Sequence, residues 1–100
     1  MTVEKENRLA EIIVEHAQGD ARLDELGVER WAIWRKEVST FEWDFDEAET
    51  AYILEGEVVI TPDNGGNPVS FGAGDPVTFP EGLSCTWDVR KPLFKYYRLG

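Results

Sequence analysis

Cysteine and histidine are nearly absent from this chain of 100 residues. Its one cysteine, Cys85, cannot form a disulfide within the chain, which suits a reducing compartment. His16 is its one histidine, so no site can be built from several imidazoles of a single chain. No apolar run is long enough to span a membrane, and Met1–Asn7 lacks the apolar core of a signal peptide. We therefore expect a cytoplasmic protein with no membrane partner.

Positive charge is also scarce. Ten Lys and Arg residues stand against twenty Asp and Glu residues, which gives a net charge of −10. Such a chain is repelled by phosphate backbones, so we expect no nucleic-acid partner. A length of 100 residues makes one domain with a small core. Association of two copies would bury more apolar surface, and we therefore predict a homodimer.

The first 27 residues differ from the rest of the chain. Leu9–Val14 ends in three consecutive β-branched residues and favours a strand, which could be exchanged or edge-paired in the homodimer. Asp20 is a suitable N-cap for a short helix that Gly27 would end. We predict an N-terminal extension of a strand plus a short helix over residues 1–27, followed by a barrel over residues 28–100.

Beyond residue 30 the chain is patterned as strands separated by short turns. Phe41–Asp46 alternates aromatic and acidic residues, which is typical of a strand buried on one face. Thr50–Thr61 is the longest strand candidate, and Pro62–Pro68 is rich in turn formers. This pattern predicts an all-β barrel or sandwich. The remaining strand candidates are Val69–Phe71, Val77–Phe79, Leu83–Val89 and Phe94–Leu99.

Two patterned segments carry the most information. Glu49–Gly56 alternates apolar and polar residues and ends in glycine. Gly74–Gly82 combines a Gly-Asp turn, a short strand and a Pro-x-Gly turn, and Trp87 follows. In this order and at this separation the pair resembles the two signature motifs of the cupins, in the branch of ureidoglycine aminohydrolase and the ethanolamine-utilisation cupins. The resemblance implies an all-β fold, a single cupin (double-stranded β-helix, or jelly-roll) barrel.

The resemblance also implies where metal ligands would lie, and the expected histidines are missing there. Glu49 matches the glutamate ligand, and Cys85 occupies the position of the third histidine. Depending on the spacing before Glu49, the other two positions hold Glu42 and Asp44 or else Trp43 and Phe45. Neither pair contains histidine.

Three arrangements of the barrel interior are compatible with these residues. Trp43 and Phe45 could point inward and fill the metal cavity. Glu42, Asp44 and Glu49 could instead form an oxygen site, although a thiol beside it would prefer a different class of metal. In the third arrangement the interior binds an organic molecule. The missing histidines lead us to predict no metal and no other cofactor.

The individual candidates each have a functional and a structural interpretation. Glu49 could act as a general acid or base, or could simply be hydrogen-bonded within the barrel. Cys85 could be a nucleophile, or a buried thiol that packs as a small apolar group. Trp43 and Trp87 could stack on a ligand or belong to the core. Lys95 could hold a substrate carboxylate, pair with Glu49 or point into solvent.

The hypothesis that follows is a metal-independent cupin that binds a small molecule. The alternative is an enzyme on a ureide or sugar-derived metabolite, the substrate class that the resemblance to ureidoglycine aminohydrolase implies, with Glu49 as general acid/base. A purely structural domain that docks through its N-terminal segment is a third possibility. Besides Glu49, the predicted ligand-binding residues are Trp43, Tyr52, Cys85, Trp87 and Lys95.

Overall fold

The computed structural model describes residues 11–15 and 25–100. This part of the chain is built almost entirely of strands, and every strand pairing is antiparallel. The predicted all-β fold is therefore confirmed. The elements are β1 (Ile13–Val14), a 3₁₀ turn (Val28–Arg30), β2 (Ala32–Lys36), β3 (Ser39–Asp44), β4 (Glu49–Pro62), β5 (Val69–Gly72), β6 (Pro76–Phe79) and β7 (Ser84–Leu99).

Two long central strands, β4 and β7, pair with each other over most of their length. The first half of β4 and the second half of β7 belong to one sheet, in the order β1-β6-β4-β7-β2. Their other halves belong to a second sheet, in the order β5-β4-β7-β3. The two sheets enclose a common interior, as expected for a cupin barrel.

The bend between the sheets lies at Gly56. The β4–β7 register shifts three times between Ile53 and Val58, and Gly56 has a backbone φ of 119°. A Cβ atom there would lie 2.9 Å from both Leu93 Cα and the Pro92 carbonyl oxygen. The glycine that ends the first sequence motif is therefore needed because β4 passes directly against the backbone of β7.

The core between the sheets is aromatic at its centre. Phe45 stacks on Phe79 with ring centroids 4.7 Å apart, and Trp87 packs against both rings. Along β7 the alternate residues Cys85, Trp87 and Val89 are all buried, as the period of a strand requires. The interior is thus filled at one level by aromatic rings from both sheets.

The structure differs from the sequence expectation at β7. Two strands are predicted at Leu83–Val89 and Phe94–Leu99, but one continuous strand is present, and it is longer than β4. Arg90, Lys91 and Pro92 are exposed where the strand bends, yet pairing with β4 resumes at Phe94. Proline is tolerated here because the bend itself interrupts the hydrogen-bonded ladder.

The N-terminal expectations are tested only in part. Ile13 and Val14 form the short edge strand β1, which pairs with β6 of the same chain. The predicted helix lies mostly outside the described residues, as does His16. Its end is described: Leu26 is helical and Gly27 follows with a φ of 65°, the left-handed conformation that often ends a helix. No helix in residues 11–15 and 25–100 is long and apolar enough to cross a membrane.

Candidate functional site

A cavity of about 250 Å³ lies at one end of the barrel, between the sheets. Strands β2, β3, β4 and β7 and the segment between β3 and β4 form its wall. It combines aromatic surface with buried and exposed charge, the combination expected of a small-molecule site. The lining residues are Trp34, Phe41, Trp43, Asp44, Phe45, Asp46, Glu47, Glu49, Trp87, Lys95, Tyr97 and Leu99.

A buried ion pair lies inside this cavity. The Lys95 ammonium donates a hydrogen bond to Glu49 Oε2 over 2.6 Å, and both side chains are more than nine-tenths buried. Of the alternatives for Lys95, the pairing with Glu49 is the one present. Glu49 is therefore hydrogen-bonded inside the barrel, with Lys95 as its partner.

Aromatic rings surround the Lys95 ammonium. Its Nζ atom lies 4.9 Å from the centroid of Trp87 and 5.0 Å from that of Trp34, with Tyr97 at 5.4 Å and Phe79 at 5.7 Å. All four distances are within the range of cation–π attraction. The amine is therefore held by one carboxylate and by the rings around it.

Strand register explains why these residues meet. Trp34 on β2 lies directly opposite Lys95 on β7, so both side chains point to the same face. Glu49 on β4 lies opposite Phe79 on β6. Trp87 reaches the same interior from the other sheet, because β7 continues into it. The bent strands thus bring a lysine, a glutamate and several rings to one place.

Burial changes the acid–base chemistry of Lys95. Desolvation lowers the pKa of the amine below its usual 10.5, and the adjacent Glu49 carboxylate opposes part of this shift. The barrel therefore favours the neutral amine more than water does. A carboxylate in direct contact with such an amine can exchange a proton with it.

The mouth of the cavity is acidic. Asp44, Asp46 and Glu47 are all exposed there. Trp43 lies beside them with 51 % of its surface exposed. A ligand entering the cavity would first meet negative charge and an exposed indole ring.

The first of the three predicted arrangements has Trp43 and Phe45 filling the interior of the barrel. The structure agrees with it for Phe45 but not for Trp43. Trp43 belongs to the inward-facing series of β3, since it lies opposite the buried Cys85, and Phe45 lies one residue beyond the strand. Phe45 is buried in the core, but Trp43 is at the open end of the barrel and lines the cavity instead of filling it. Glu42, on the opposite face, is exposed. Asp44 is exposed at the mouth of the cavity, so Glu42 and Asp44 do not form an oxygen site with Glu49 inside the barrel.

Two predicted ligand-binding residues do not line the cavity. Cys85 is fully buried beneath Trp43, where its thiol donates to the Trp43 carbonyl oxygen over 3.6 Å. Burial raises the pKa of the Cys85 thiol from 9.0 to about 11. Tyr52 is buried on the face of β4 opposite to Glu49 and Ala51. Trp43, Glu49, Trp87 and Lys95 are brought together, and Cys85 and Tyr52 are not.

The residues of the site do not fit the metal centre that the cupin motifs imply. Within residues 11–15 and 25–100, no group of three or more His, Cys, Asp or Glu side chains is placed to hold a metal ion. The Glu49 carboxylate already has a cationic partner in Lys95. The Cys85 thiol is directed at a backbone carbonyl.

Several cavity residues were not among the predicted site residues, and three of them show why. Trp34 lies in a strand where large apolar residues occupy both faces, so period-two patterning does not show which face is inside. Tyr97 could have been found, because it lies two residues after Lys95 and must share its face. Asp46 lies just beyond β3, where strand alternation no longer applies.

The fold and the site together define a small antiparallel barrel with a charged, aromatic-walled cavity at one end. The sequence profile of the EutQ-like cupin domain matches residues 23–97. The chain therefore belongs to the EutQ-like cupin family, as its two motifs predicted. No curated protein matches the chain significantly.

Solved structures agree with this assignment. A DUF861 family protein from Thermotoga maritima is similar over 90 % of this chain and all of its own, with 47 % identity and a TM-score of 0.84. The EutQ protein of Clostridium difficile is similar in fold, with 24 % identity and a TM-score of 0.60. That similarity covers 67 % of this chain and 52 % of EutQ.

Proposed function

We propose that this cupin binds a small organic molecule in the cavity around Glu49 and Lys95, without a metal ion. The observation that supports this most directly is the Glu49–Lys95 pair. Glu49 occupies the position of a glutamate ligand in the cupin motif, and the ammonium of Lys95 lies 2.6 Å from its carboxylate. A cation from the protein itself thus balances the charge that a metal would balance in other cupins.

The wall of the cavity supports a ligand that is small and neutral or cationic. Trp34, Trp43 and Tyr97 offer ring surface for stacking on a flat or apolar group. The exposed carboxylates at the mouth attract positive charge and repel anions. A volume of about 250 Å³ is below that of most drug-sized sites, which favours a small metabolite.

An enzymatic role is the second candidate, and one observation favours it. Glu49 and Lys95 form a proton donor and acceptor in direct contact, and both line the cavity. Such a pair could move a proton on a bound ureide or sugar-derived metabolite, with Glu49 as general acid/base. The variants Trp43→Ala and Lys95→Arg, which test binding, also test this role when turnover is measured.

A thermal-shift screen of neutral, cationic and anionic metabolites tests the binding proposal. Trp43→Ala should abolish the stabilisation by a ligand, because Trp43 lies at the cavity mouth. Ile33→Ala is the matched control: Ile33 is 55 % exposed, close to the 51 % of Trp43, and does not line the cavity. A ligand whose stabilisation is unaffected by Trp43→Ala and Lys95→Arg would bind elsewhere and would contradict the proposal.

Metal analysis tests the second part of the proposal. The purified protein should carry no stoichiometric zinc, iron, nickel or manganese, and a chelator should leave ligand binding unchanged. About one equivalent of such a metal, lost on Glu49→Ala, would overturn metal-independent binding.

A further inference from the structure

We propose that Lys95 captures small aldehydes and ketones as an imine, with Glu49 transferring the protons. This inference rests on the proposed binding function of the same cavity and specifies its ligand class as carbonyl compounds. It is drawn from the placement of one primary amine, one carboxylate and a ring of aromatic groups around a small cavity.

The position of Lys95 is the first support. Its side chain is only 6 % exposed and it lines the cavity, so the amine is approached from the cavity and not from the outer surface. Lys91 differs in both respects: its side chain is 71 % exposed, and it lies 3.9 Å from Glu57 on the surface. A surface lysine remains hydrated and protonated, whereas the surroundings of Lys95 disfavour the charged form.

The placement of Glu49 is the second support. Its Oε2 atom accepts the hydrogen bond from Lys95 Nζ and is therefore positioned to accept the proton itself. Among the residues that the structure describes, the Glu49 carboxylate makes no other hydrogen bond. It can consequently pass that proton to a ligand in the cavity without first breaking a second contact.

The chemistry balances with these two groups alone. Glu49 takes one proton from the Lys95 ammonium, and the freed nitrogen lone pair forms a bond to the carbonyl carbon. The carbonyl π electrons move to oxygen, which receives the proton held by Glu49. Glu49 then removes a second proton from the nitrogen, which gives a neutral carbinolamine. Glu49 then protonates the hydroxyl group, the C–O bond breaks with loss of water, and the nitrogen lone pair forms the C=N bond. Ammonium plus carbonyl thus becomes iminium plus water.

The surroundings also set which carbonyl compounds fit. The aromatic rings around Lys95 stabilise a cation, and the iminium retains the positive charge of the ammonium. Asp44, Asp46 and Glu47 at the mouth repel a carboxylate. Neutral or amino-substituted aldehydes should therefore react in preference to keto acids of the same size.

Reductive trapping followed by peptide mapping tests the proposal. The folded protein is incubated with glycolaldehyde and cyanoborohydride near pH 7.5, and the modification of each lysine is measured by mass spectrometry. We expect at least tenfold more modification at Lys95 than at Lys91 and Lys36 in the same sample. Glyoxylate, of similar size but anionic, should modify Lys95 several-fold less. Unfolding in urea should remove the preference for Lys95.

Modification that follows exposure, with Lys91 modified most and Lys95 least, would overturn the proposal. Lys95→Arg, which keeps the charge beside Glu49, should leave only the slow surface modification. If Lys95→Arg fails to fold, the mapping of the unaltered protein decides alone. Unmodified Lys95 together with a thermal shift by ethanolamine that Trp43→Ala abolishes would reject covalent capture and leave cavity binding standing. If no cavity ligand is found either, both proposals fail.

Discussion

Lys95 Nζ and Glu49 Oε2 are 2.6 Å apart inside the barrel, with side-chain exposures of 6 % and 8 %. Removing both charges from water costs several kcal/mol per ion, and their attraction does not always recover it. An apolar pair of similar size would often be at least as stable. The pair is therefore better explained by a role in the cavity than by stability, and it provides the first prediction.

Glu49→Gln should destabilise the protein by about 2–4 kcal/mol, because it leaves the Lys95 amine buried without its anion. The double variant Glu49→Gln/Lys95→Met should recover much of that loss. Urea denaturation of the single and double variants measures both effects. The matched control is Glu57→Gln, which removes the exposed pair with Lys91 and should change stability by less than about 0.5 kcal/mol. Equal effects of Glu49→Gln and Glu57→Gln would contradict this account of the pair.

Gly56→Ala should cost at least about 3 kcal/mol or prevent folding. The new Cβ would lie 2.9 Å from the backbone of β7, and alanine disfavours a φ of 119°. Gly65→Ala is the control, because Gly65 also has a positive φ, 87°, but no atom within 4 Å of the added Cβ. It should cost only about 1 kcal/mol. Similar losses in the two variants would show that backbone conformation, and not the contact with β7, determines the cost.

Cys85 should be nearly inert in the folded protein. Raising the thiol pKa from 9.0 to about 11 lowers the thiolate fraction near pH 8 by about a hundredfold, and burial slows access further. Iodoacetamide should therefore alkylate Cys85 more than a hundred times more slowly in buffer than in urea. Rapid alkylation of the native protein would restore Cys85 as a candidate nucleophile.

The same thiol should make stability depend on pH above neutrality. Well below pH 9 the thiol is protonated in both the folded and the unfolded protein, so it causes no dependence. Between pH 9 and about 11 the unfolded chain loses this proton before the folded one, so the contribution of Cys85 to stability falls as pH rises. Lys95 acts in the opposite direction, because its lowered pKa releases a proton from the folded protein first.

Comparison with Cys85→Ala isolates the thiol. The stability difference between the unaltered protein and this variant should be constant up to pH 8.5 and then shrink towards pH 11. Urea denaturation at each pH measures it. A difference that stays flat over the whole range would show that the thiol titrates alike in both states.

A homodimer is the fifth expectation. The edge strand β1 leaves Ile13 54 % exposed, and pairing of two such edges would cover it. Light scattering at tens of micromolar should give a dimer, and Ile13→Lys should give a monomer. Ile33→Lys, on the edge strand β2, is the control and should leave the dimer intact. A monomeric parent protein would contradict the dimer, and a dimeric Ile13→Lys variant would contradict the role of β1.

The sequence predicted the structure best at positions where a single local property, such as the conformational freedom of glycine or the alternation of a strand, determines the backbone. Glycines at Gly56 and Gly82 mark real backbone constraints, because both have a positive φ. The alternation in Phe41–Asp46 correctly indicated a strand, which ends at Asp44, one residue before the buried Phe45. These local signals predicted the strands and turns, and the resemblance to the cupin motifs identified the barrel and put Glu49 inside it.

The rest of the site depends on features that local patterns do not contain. Trp34 and Lys95 meet because β2 and β7 pair in a particular register, and register between distant strands is not visible in either strand alone. Trp43 follows the inward alternation but lies where the barrel opens, so the pattern predicts burial and the structure leaves it exposed. Separate strands were predicted at Leu83–Val89 and Phe94–Leu99, whereas β7 is continuous through the residues between them.

The sharing of β4 and β7 between both sheets has a consequence for the order of folding events. Neither sheet can assemble until these two strands, which are far apart in the chain, have found each other. We therefore expect the closure of the long loop between them to organise both halves of the barrel at once. Folding should be a single slow event, on the order of milliseconds to seconds, with no stage at which one sheet exists without the other.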